Sequence, residues 1–153
     1  MNDTRIIHHR PGAPGLRLLG LGPDLMPCKA LIQLRDFLNR NTSWAKRRCL
    51  NDLKMALSQS TEIVSLWKGR KIIGFGRCTS DSVYRAVLWD VVVDEEFQHK
   101  GFGKRLIKAL ISSPKLKNVE KVYVMTTQSE QFYSKVDFKE CLNQKLFIRY
   151  YAE

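Results

Sequence analysis

The feature that most constrains the fold is a long apolar stretch that leads through a glycine-containing loop into a helical pattern. Residues 84–94 are almost continuously apolar, which is typical of a strand buried on both faces. The loop contains Gly101 and Gly103, and residues 106–111 then show helical spacing. A second apolar strand is predicted at residues 119–125. This strand–helix–strand unit predicts an α/β fold built on a mixed sheet.

Weaker patterns fill the rest of the chain. Helical spacing predicts further helices at residues 31–38, 50–57 and 131–136. Period-two or apolar patterns predict strands at residues 16–21, 63–67, 72–75 and 146–151. Together these elements predict a mixed central sheet of about seven strands, with about four helices on both of its faces.

A length of 153 residues suits one domain, which we expect at residues 16–153 after a flexible leader at residues 1–15. The leader contains His8 and His9, to which we assign no role. The four cysteines are far apart and lack histidines at ligand spacing, so the sequence predicts reduced thiols and no metal site. No apolar run approaches the roughly 20 residues of a membrane span.

The formal net charge of +11 favours an anionic partner but does not identify one. Nucleic acid, an anionic membrane, an acidic protein surface and a polyphosphate cofactor would all be attracted. The alternative is that most of the lysines and arginines only coat solvated faces.

The loop at residues 98–103 has the composition of an anion-binding site. Gly101 and Gly103 leave room for backbone N–H groups to converge on an anion, and the start of a helix adds partial positive charge. Lys100 and Lys104 supply full positive charges nearby. The alternative for a bare Gly-x-Gly is a tight turn without a ligand.

Two nucleotide-binding motifs are excluded by single positions. Arg105 stands where a Walker loop requires Ser or Thr after Gly-Lys. Leu106 stands where a dinucleotide-binding fingerprint requires its third glycine. The loop therefore belongs to a different kind of phosphate site, or to none.

The loop Gln98-His99-Lys100-Gly101-Phe102-Gly103 resembles the acyl-CoA loop Gln/Arg-x-x-Gly-x-Gly/Ala of the GNAT acetyltransferases. A second block, Phe132-Tyr133-Ser134-Lys135-Val136-Asp137-Phe138, is similar to the family's Phe-Tyr-x-x-x-Gly-Phe, with Asp137 in place of glycine. The resemblance implies a GNAT fold with a splay between strands four and five. It also implies acetyl-CoA as co-substrate and no metal.

Residues 84–93 and 122–128 look most like the cyanobacterial and plastid branch that includes serotonin N-acetyltransferases. This resemblance implies a cytoplasmic or plastid enzyme that acetylates a small amine such as serotonin or tryptamine. Two alternatives stay open: acetylation of protein lysines or N-termini, and a basic binding module without catalysis. Nucleic acid and membrane partners are not expected.

The resemblance also implies roles for individual residues. Tyr133 matches the tyrosine that protonates the CoA thiolate. The backbone of Val91, Val92 and Val93 matches the pantetheine-binding strand, with the Val91 N–H facing the thioester carbonyl. The remaining cofactor contacts are assigned to Gln98, His99, Lys100, Gly101, Phe102, Gly103 and Lys104.

The residues on the acceptor side are less clearly defined. Asp90 is a candidate general base, because it is the carboxylate within strand four, or else it fixes the splayed strand. In several relatives the base aligns with Trp89 or Val87 instead. Trp89 is expected either to pack an aromatic amine or to be core, and it shares a face with Asp90 only if a bulge intervenes. Thr126 stands where many relatives have Asn and is a candidate polar contact.

Overall fold

The computed structural model describes residues 3–151, and a mixed sheet forms its centre. Its five strands lie side by side in chain order. They are β1 (Thr4–His8), β2 (Glu62–Lys68), β3 (Lys71–Ser80), β4 (Arg85–Val93) and β5 (Lys121–Val124). Neighbouring strands are antiparallel from β1 to β4, whereas β5 runs parallel to β4. The predicted α/β class and mixed sheet are confirmed.

Helices cover both faces of the sheet. They are α1 (Ala30–Asn41), α2 (Leu50–Ser58), α3 (Phe102–Ile111) and α4 (Glu130–Ser134). The buried sides of α1 and α2 pack with Trp67 and Phe75 on one face. The apolar side of α3 packs with Leu88 on the other face, because its leucines and isoleucines recur at helical spacing. The described residues therefore form apolar clusters on both faces of the sheet.

The predicted strand at residues 16–21 is wrong. Gly15–Leu19 form a short π-helical segment instead, which ends at Gly20 in a left-handed conformation. Leu16 is buried, whereas the two leucines at positions 18 and 19 are both exposed. These leucines do not alternate between two faces of a sheet, as a strand would require.

The first strand comes from the segment that was expected to be a flexible leader. Thr4–His8 pair antiparallel with β2, with Ile6 opposite Leu66. Because β2 is buried along most of its length, its outer edge needs a hydrogen-bonding partner, which β1 supplies. Residues 4–8 are therefore part of the sheet, and Met1 and Asn2 lie outside the described residues.

The predicted last strand, at residues 146–151, does not form. Residues 135–151 contain no helix or strand, and the side chains of Phe147 and Tyr150 are exposed. A β-type composition is insufficient where no neighbouring strand completes the hydrogen bonds. Within residues 3–151 the sheet therefore has five strands rather than about seven. No helix in this part of the chain has the length and apolar character needed to cross a bilayer.

Candidate active site

The two parallel strands separate beyond the end of β5. Their pairing runs from Arg85 opposite Lys121 to Leu88 opposite Val124, where β5 ends. The partner strand β4 continues to Val93, so its last five residues have no β5 neighbour. Apart from Val93 O, which accepts a hydrogen bond from Gln98, the backbone groups on this edge are available to an extended ligand. The expected splay between strands four and five fits this geometry.

A β-bulge lies in the part of β4 that has no β5 neighbour but still pairs with β3. Two residues, Asp90 and Val91, oppose the single residue Gly76 of β3. Asp90 adopts a φ of 54°, which is uncommon for a residue other than glycine. As a result, Asp90 and Trp89 lie on the same face of the sheet, and both contact Arg77.

The Asp90 carboxylate is enclosed by two guanidinium groups. Its Oδ2 accepts a hydrogen bond of 2.7 Å from Arg77 Nε and lies 2.9 Å from Arg48 Nη1. The Asp90 side chain is only 4% exposed. An acceptor amine would have little access to this carboxylate, so the geometry favours a role in holding the strand over that of general base.

A shallow pocket lies beside this ion-pair cluster. Its volume is about 200 Å³, and it is lined by Arg48, Asp52, Leu53, Ala56 and Arg77. Trp89 is partly buried nearby, and its Nε1 donates to Thr79 Oγ1 at 2.8 Å. Trp44 is half exposed and stacks on Arg48, with the guanidinium carbon 4.9 Å from its ring centre. This side of the sheet thus combines the indole rings of Trp44 and Trp89, neither of which is fully buried, with positive charge.

The start of α3 has the open geometry that a phosphate group requires. Gly101 precedes the helix with a φ of 82°, and an added Cβ would meet nothing within 4 Å. No side chain caps this end. The first helical hydrogen bond is donated by Arg105 N to Gly101 O, so the N–H groups of residues 102–104 have no partner within the helix. Unpaired N–H groups at the start of a helix are suited to bind an anionic group such as a phosphate.

The predicted cofactor residues before Gly101 shape the loop. Gln98 Nε2 donates to Val93 O at 3.1 Å and so ties the loop back to the end of β4. Lys100 Nζ donates to Glu96 O at 2.8 Å. His99 is exposed and has a left-handed φ of 59°. These contacts hold the backbone turn that leads into α3.

The three valines of β4 divide between the two faces of the sheet. Val92 is buried on the side of α1 and α2. Val91 and Val93 pack on the side of α3 and α4, in the cluster that also contains Tyr133. The structure therefore places Tyr133 and the end of β4 in one apolar cluster.

The helix that carries Tyr133 packs against the glycine loop. A Cβ added to Gly103 would lie 2.9 Å from a ring carbon of Phe132, so this close approach requires glycine. The Tyr133 ring contacts Phe132 and Phe138 edge to face. Burial raises the pKa of the Tyr133 phenol, which therefore keeps its proton at neutral pH. Asp137 takes a left-handed φ of 69°, as expected where the family has glycine.

Thr126 lies apart from the residues on the acceptor side. It is exposed, and its Oγ1 accepts a hydrogen bond from Ser129 N at 3.1 Å in the turn before α4. Trp89 and Asp90 face the α1 and α2 side of the sheet. The structure therefore does not bring Thr126 together with the Asp90 cluster.

Three charged residues that sequence reasoning missed also shape this region. Arg48 and Arg77 hold Asp90. Asp94, which is 3% exposed, accepts hydrogen bonds from Arg40 Nη2 and Glu96 N after β4. A charge inside an apolar strand pattern, as at Arg77, is the signal that could have revealed this cluster. Among residues 3–151, no three His, Cys, Asp or Glu side chains are grouped to hold a metal ion.

The sequence also matches a known family profile over most of its length. The profile of the Acetyltransferase (GNAT) family matches residues 31–138, which include α1, the bulged strand and the glycine loop. The chain therefore belongs to the GNAT acetyltransferase family.

Individual relatives come from cyanobacteria and plants. An uncharacterized N-acetyltransferase ycf52-like of Prochlorococcus marinus is 38% identical over 96 residues, which are 60% of this chain and 52% of that protein. Histone acetyltransferase TAP1 of Glycine max is 33% identical over 61% of this chain and 46% of its own length. The chloroplastic GCN5-related N-acetyltransferase 1 of Arabidopsis thaliana is 36% identical over 48% and 38%. The chain thus spans about half the length, or less, of these curated relatives.

A solved structure confirms the fold. A putative GNAT-family acetyltransferase from Xanthomonas campestris superposes with a TM-score of 0.72 and 22% identity. The superposition covers 99% of this chain and 95% of that one.

Proposed function

We propose that the protein is an N-acetyltransferase that moves an acetyl group from acetyl-CoA directly to a primary amine. The observation that carries this proposal is the open, uncapped start of α3 at the end of the gap between β4 and β5. An extended thioester fits such a gap, with its pyrophosphate at the helix N-terminus. Membership of the GNAT family supports the same activity.

The chain offers backbone groups to bind and orient the donor. The N–H groups of Phe102, Gly103 and Lys104 would hold the pyrophosphate, and the Lys104 side chain adds positive charge. We assign to the Val91 N–H the hydrogen bond to the thioester carbonyl, whose oxygen gains negative charge as the amine attacks. Bound acetyl-CoA supplies the activated acetyl group.

Tyr133 is the proposed general acid. Because burial raises the pKa of its phenol, Tyr133 holds its proton at neutral pH and can donate it to the departing sulfur. Its position in the same apolar cluster as Val91 supports this role.

No side chain is assigned as general base in this proposal. The Asp90 carboxylate is enclosed by Arg48 and Arg77, so we propose that the acceptor amine binds in its neutral form. After attack the nitrogen loses one proton to water, and Tyr133 regains from water the proton that it gives to the sulfur. The rate would then rise with pH until the acceptor amine is fully deprotonated.

The proposed acceptor is a small aromatic amine. Trp44 and Trp89 offer indole surfaces on the face that carries the shallow pocket, and aromatic rings pack favourably on such surfaces. The second candidate is a lysine of an acidic protein. The net charge of +11 favours an acidic surface around that lysine. The similarity to a protein named histone acetyltransferase supports only that the acceptor is a protein. The chloroplastic relatives support a plastid home, with a cyanobacterial cytoplasm as the alternative.

The direct test of the function is an acetyl-transfer assay. Release of free CoA thiol would be measured with serotonin, tryptamine, spermidine and a lysine peptide at matched concentrations. We expect turnover of the aromatic amines to exceed that of the peptide, and better turnover of the peptide would support the second candidate. Binding of acetyl-CoA without acetylation of any amine would contradict the proposed enzyme and favour a binding module.

A further inference from the structure

The buried carboxylate of Asp90 forms ion pairs with residues from two other parts of the fold. Asp90 lies in the bulge of β4, Arg77 lies on β3, and Arg48 lies just before α2. Both guanidinium groups contact the same oxygen, Asp90 Oδ2, at 2.7 and 2.9 Å. The Arg77 side chain is 13% exposed, so this contact is largely shielded from solvent. The three residues form what we call the Asp90 cluster.

The backbone at Asp90 requires such support. Its φ of 54° is an unfavourable conformation for an aspartate inside a strand, and such a conformation persists only where the surrounding structure holds it. The bulge also takes a residue out of the ladder with β3. Arg48 and Arg77 supply a charged, short-range restraint on the side chain of that residue.

The same cluster forms a wall of the shallow pocket. Arg48 and Arg77 both line that pocket, and Arg48 is stacked on Trp44 in the loop between α1 and α2. The pocket side of the sheet is therefore connected through one ion-pair cluster to the strand that faces the β4–β5 gap. A substitution in the loop before α2 would therefore alter the bulge without altering the glycine loop.

We propose that Arg48 and Arg77 are positioning residues of the transfer reaction. They hold Asp90, Asp90 holds the bulge, and the bulge directs the Val91 N–H toward the β4–β5 gap. This inference rests on the proposed acetyltransferase function. It requires that loss of either arginine impair the chemical step while the pyrophosphate site at α3 keeps its affinity.

The two interpretations of Asp90 predict different pH profiles. If Asp90 were the general base, Asp90→Asn would remove the group that accepts the amine proton and change the shape of the profile. If Asp90 only holds the bulge, Asp90→Asn lowers kcat, and the rate still rises with pH as the acceptor amine loses its proton. A changed profile shape would overturn the proposal.

The neighbouring arginine provides a matched control. Arg47 is exposed and makes no ion pair with any residue of the described range 3–151. Arg48→Ala should lower kcat on the order of 10- to 100-fold with acetyl-CoA affinity unchanged, because misplacement of a donor group acts on the transition state. Arg47→Ala should leave kcat within twofold of wild type, and Arg48→Lys should recover part of the loss. Equal kcat values for Arg48→Ala and Arg47→Ala would overturn the proposal.

A second readout does not depend on activity. Hydrogen exchange of the β3 and β4 amides that flank the bulge should be faster in folded Arg48→Ala than in Arg47→Ala, because the ladder around the bulge is less restrained. Unchanged exchange in Arg48→Ala would contradict the restraint even if the activity fell. Failure of wild-type protein to acetylate any amine would instead contradict the proposed function, and the exchange comparison would still test the restraint.

Discussion

Gly101 shows how one residue can serve both the fold and the proposed site. Its φ of 82° is readily adopted only by glycine, and the space in front of it is empty of protein atoms. Gly103 two residues later is required for a different reason, since Phe132 occupies the place of a side chain there. The sequence motif marks both glycines. In the structure, Gly101 leaves open space, which we assign to the ligand, whereas Gly103 allows the close packing of Phe132.

Replacing Gly101 by valine should abolish binding of acetyl-CoA. The β-branched side chain is strained at this φ and would occupy the space in front of the free N–H groups of α3. Calorimetric titration with acetyl-CoA measures the effect on a variant shown to be folded by circular dichroism.

The matched control for this variant is Gly69→Val in the turn after β2. Gly69 also has a positive φ, of 56°, and its Cβ direction is nearly open. This variant should show similar backbone strain but normal affinity for acetyl-CoA. Unchanged affinity in folded Gly101→Val would place the cofactor elsewhere.

The Asp90 cluster marks the limit of what one sequence can show at this scale. Tyr133 and the glycine loop lie in short motifs that resemble those of the GNAT family, and their proposed roles come from that resemblance. The contacts of Asp90 with Arg48 and Arg77 join residues from different elements. Arg77 stands out as a charge within a strand pattern, but no local pattern specifies that it and Arg48, among the 26 lysines and arginines, approach this carboxylate.

At the scale of elements, the strongly periodic segments were predictable and the ends of the chain were not. The central strand and α3 carry long apolar patterns, which set their type and their order. The strand β1 is only five residues long and is stabilised by pairing with β2, a non-local contact. Residues 146–151 have β-type composition but no neighbouring strand. Partner strands, rather than propensity, decide both outcomes.

The pairing of β1 with β2 is accompanied by burial of a titratable side chain, that of His9. His9, directly after this strand, lies close to Ser65, with 2.7 Å between His9 Nε2 and the serine Oγ. Burial lowers the pKa of His9 to about 4, with a partial opposing effect from Glu62. The segment that was expected to be a leader therefore affects the stability of the fold.

Stability should fall in acid because of His9. Below pH 6.5 the unfolded chain binds a proton at this histidine that the folded chain does not bind until about pH 4. Neutral His9 contributes its full stabilisation above pH 6.5. About 3 kcal/mol of the free energy of unfolding is lost as the pH falls from 6.5 to about 4. Urea unfolding at pH 7.5 and pH 4.5 measures the loss.

A variant at this position separates His9 from the other titrating groups. His9→Gln keeps a polar atom near Ser65 but has no charge to gain. Its free energy of unfolding should fall less between the two pH values than that of wild type, by roughly 2 kcal/mol. Equal losses in the two proteins would show that His9 titrates normally in the folded state.

At the scale of the whole molecule, the two faces of the sheet have different proposed roles. The α3 and α4 side carries the glycine loop, Val91 and Tyr133, which we assign to the donor. The α1 and α2 side carries the shallow pocket and the indole rings, which we assign to the acceptor. The two sides meet at the bulge of β4, because the gap beside β5 opens there. Composition and charge indicated an anionic partner, but the topology determines where donor and acceptor would meet.

The measurement that most directly tests this arrangement is single-turnover acetyl transfer by Tyr133→Phe. Phenylalanine keeps the ring contacts with Phe132 and Phe138 but removes the proton donor. The rate of acetyl transfer should fall about 10²- to 10⁴-fold, while the affinity for acetyl-CoA stays unchanged, because thiolate charge develops only in the transition state. Single-turnover conditions exclude product release as the limiting step. A folded Tyr133→Phe protein that transfers acetyl at the wild-type rate would contradict the proposed mechanism.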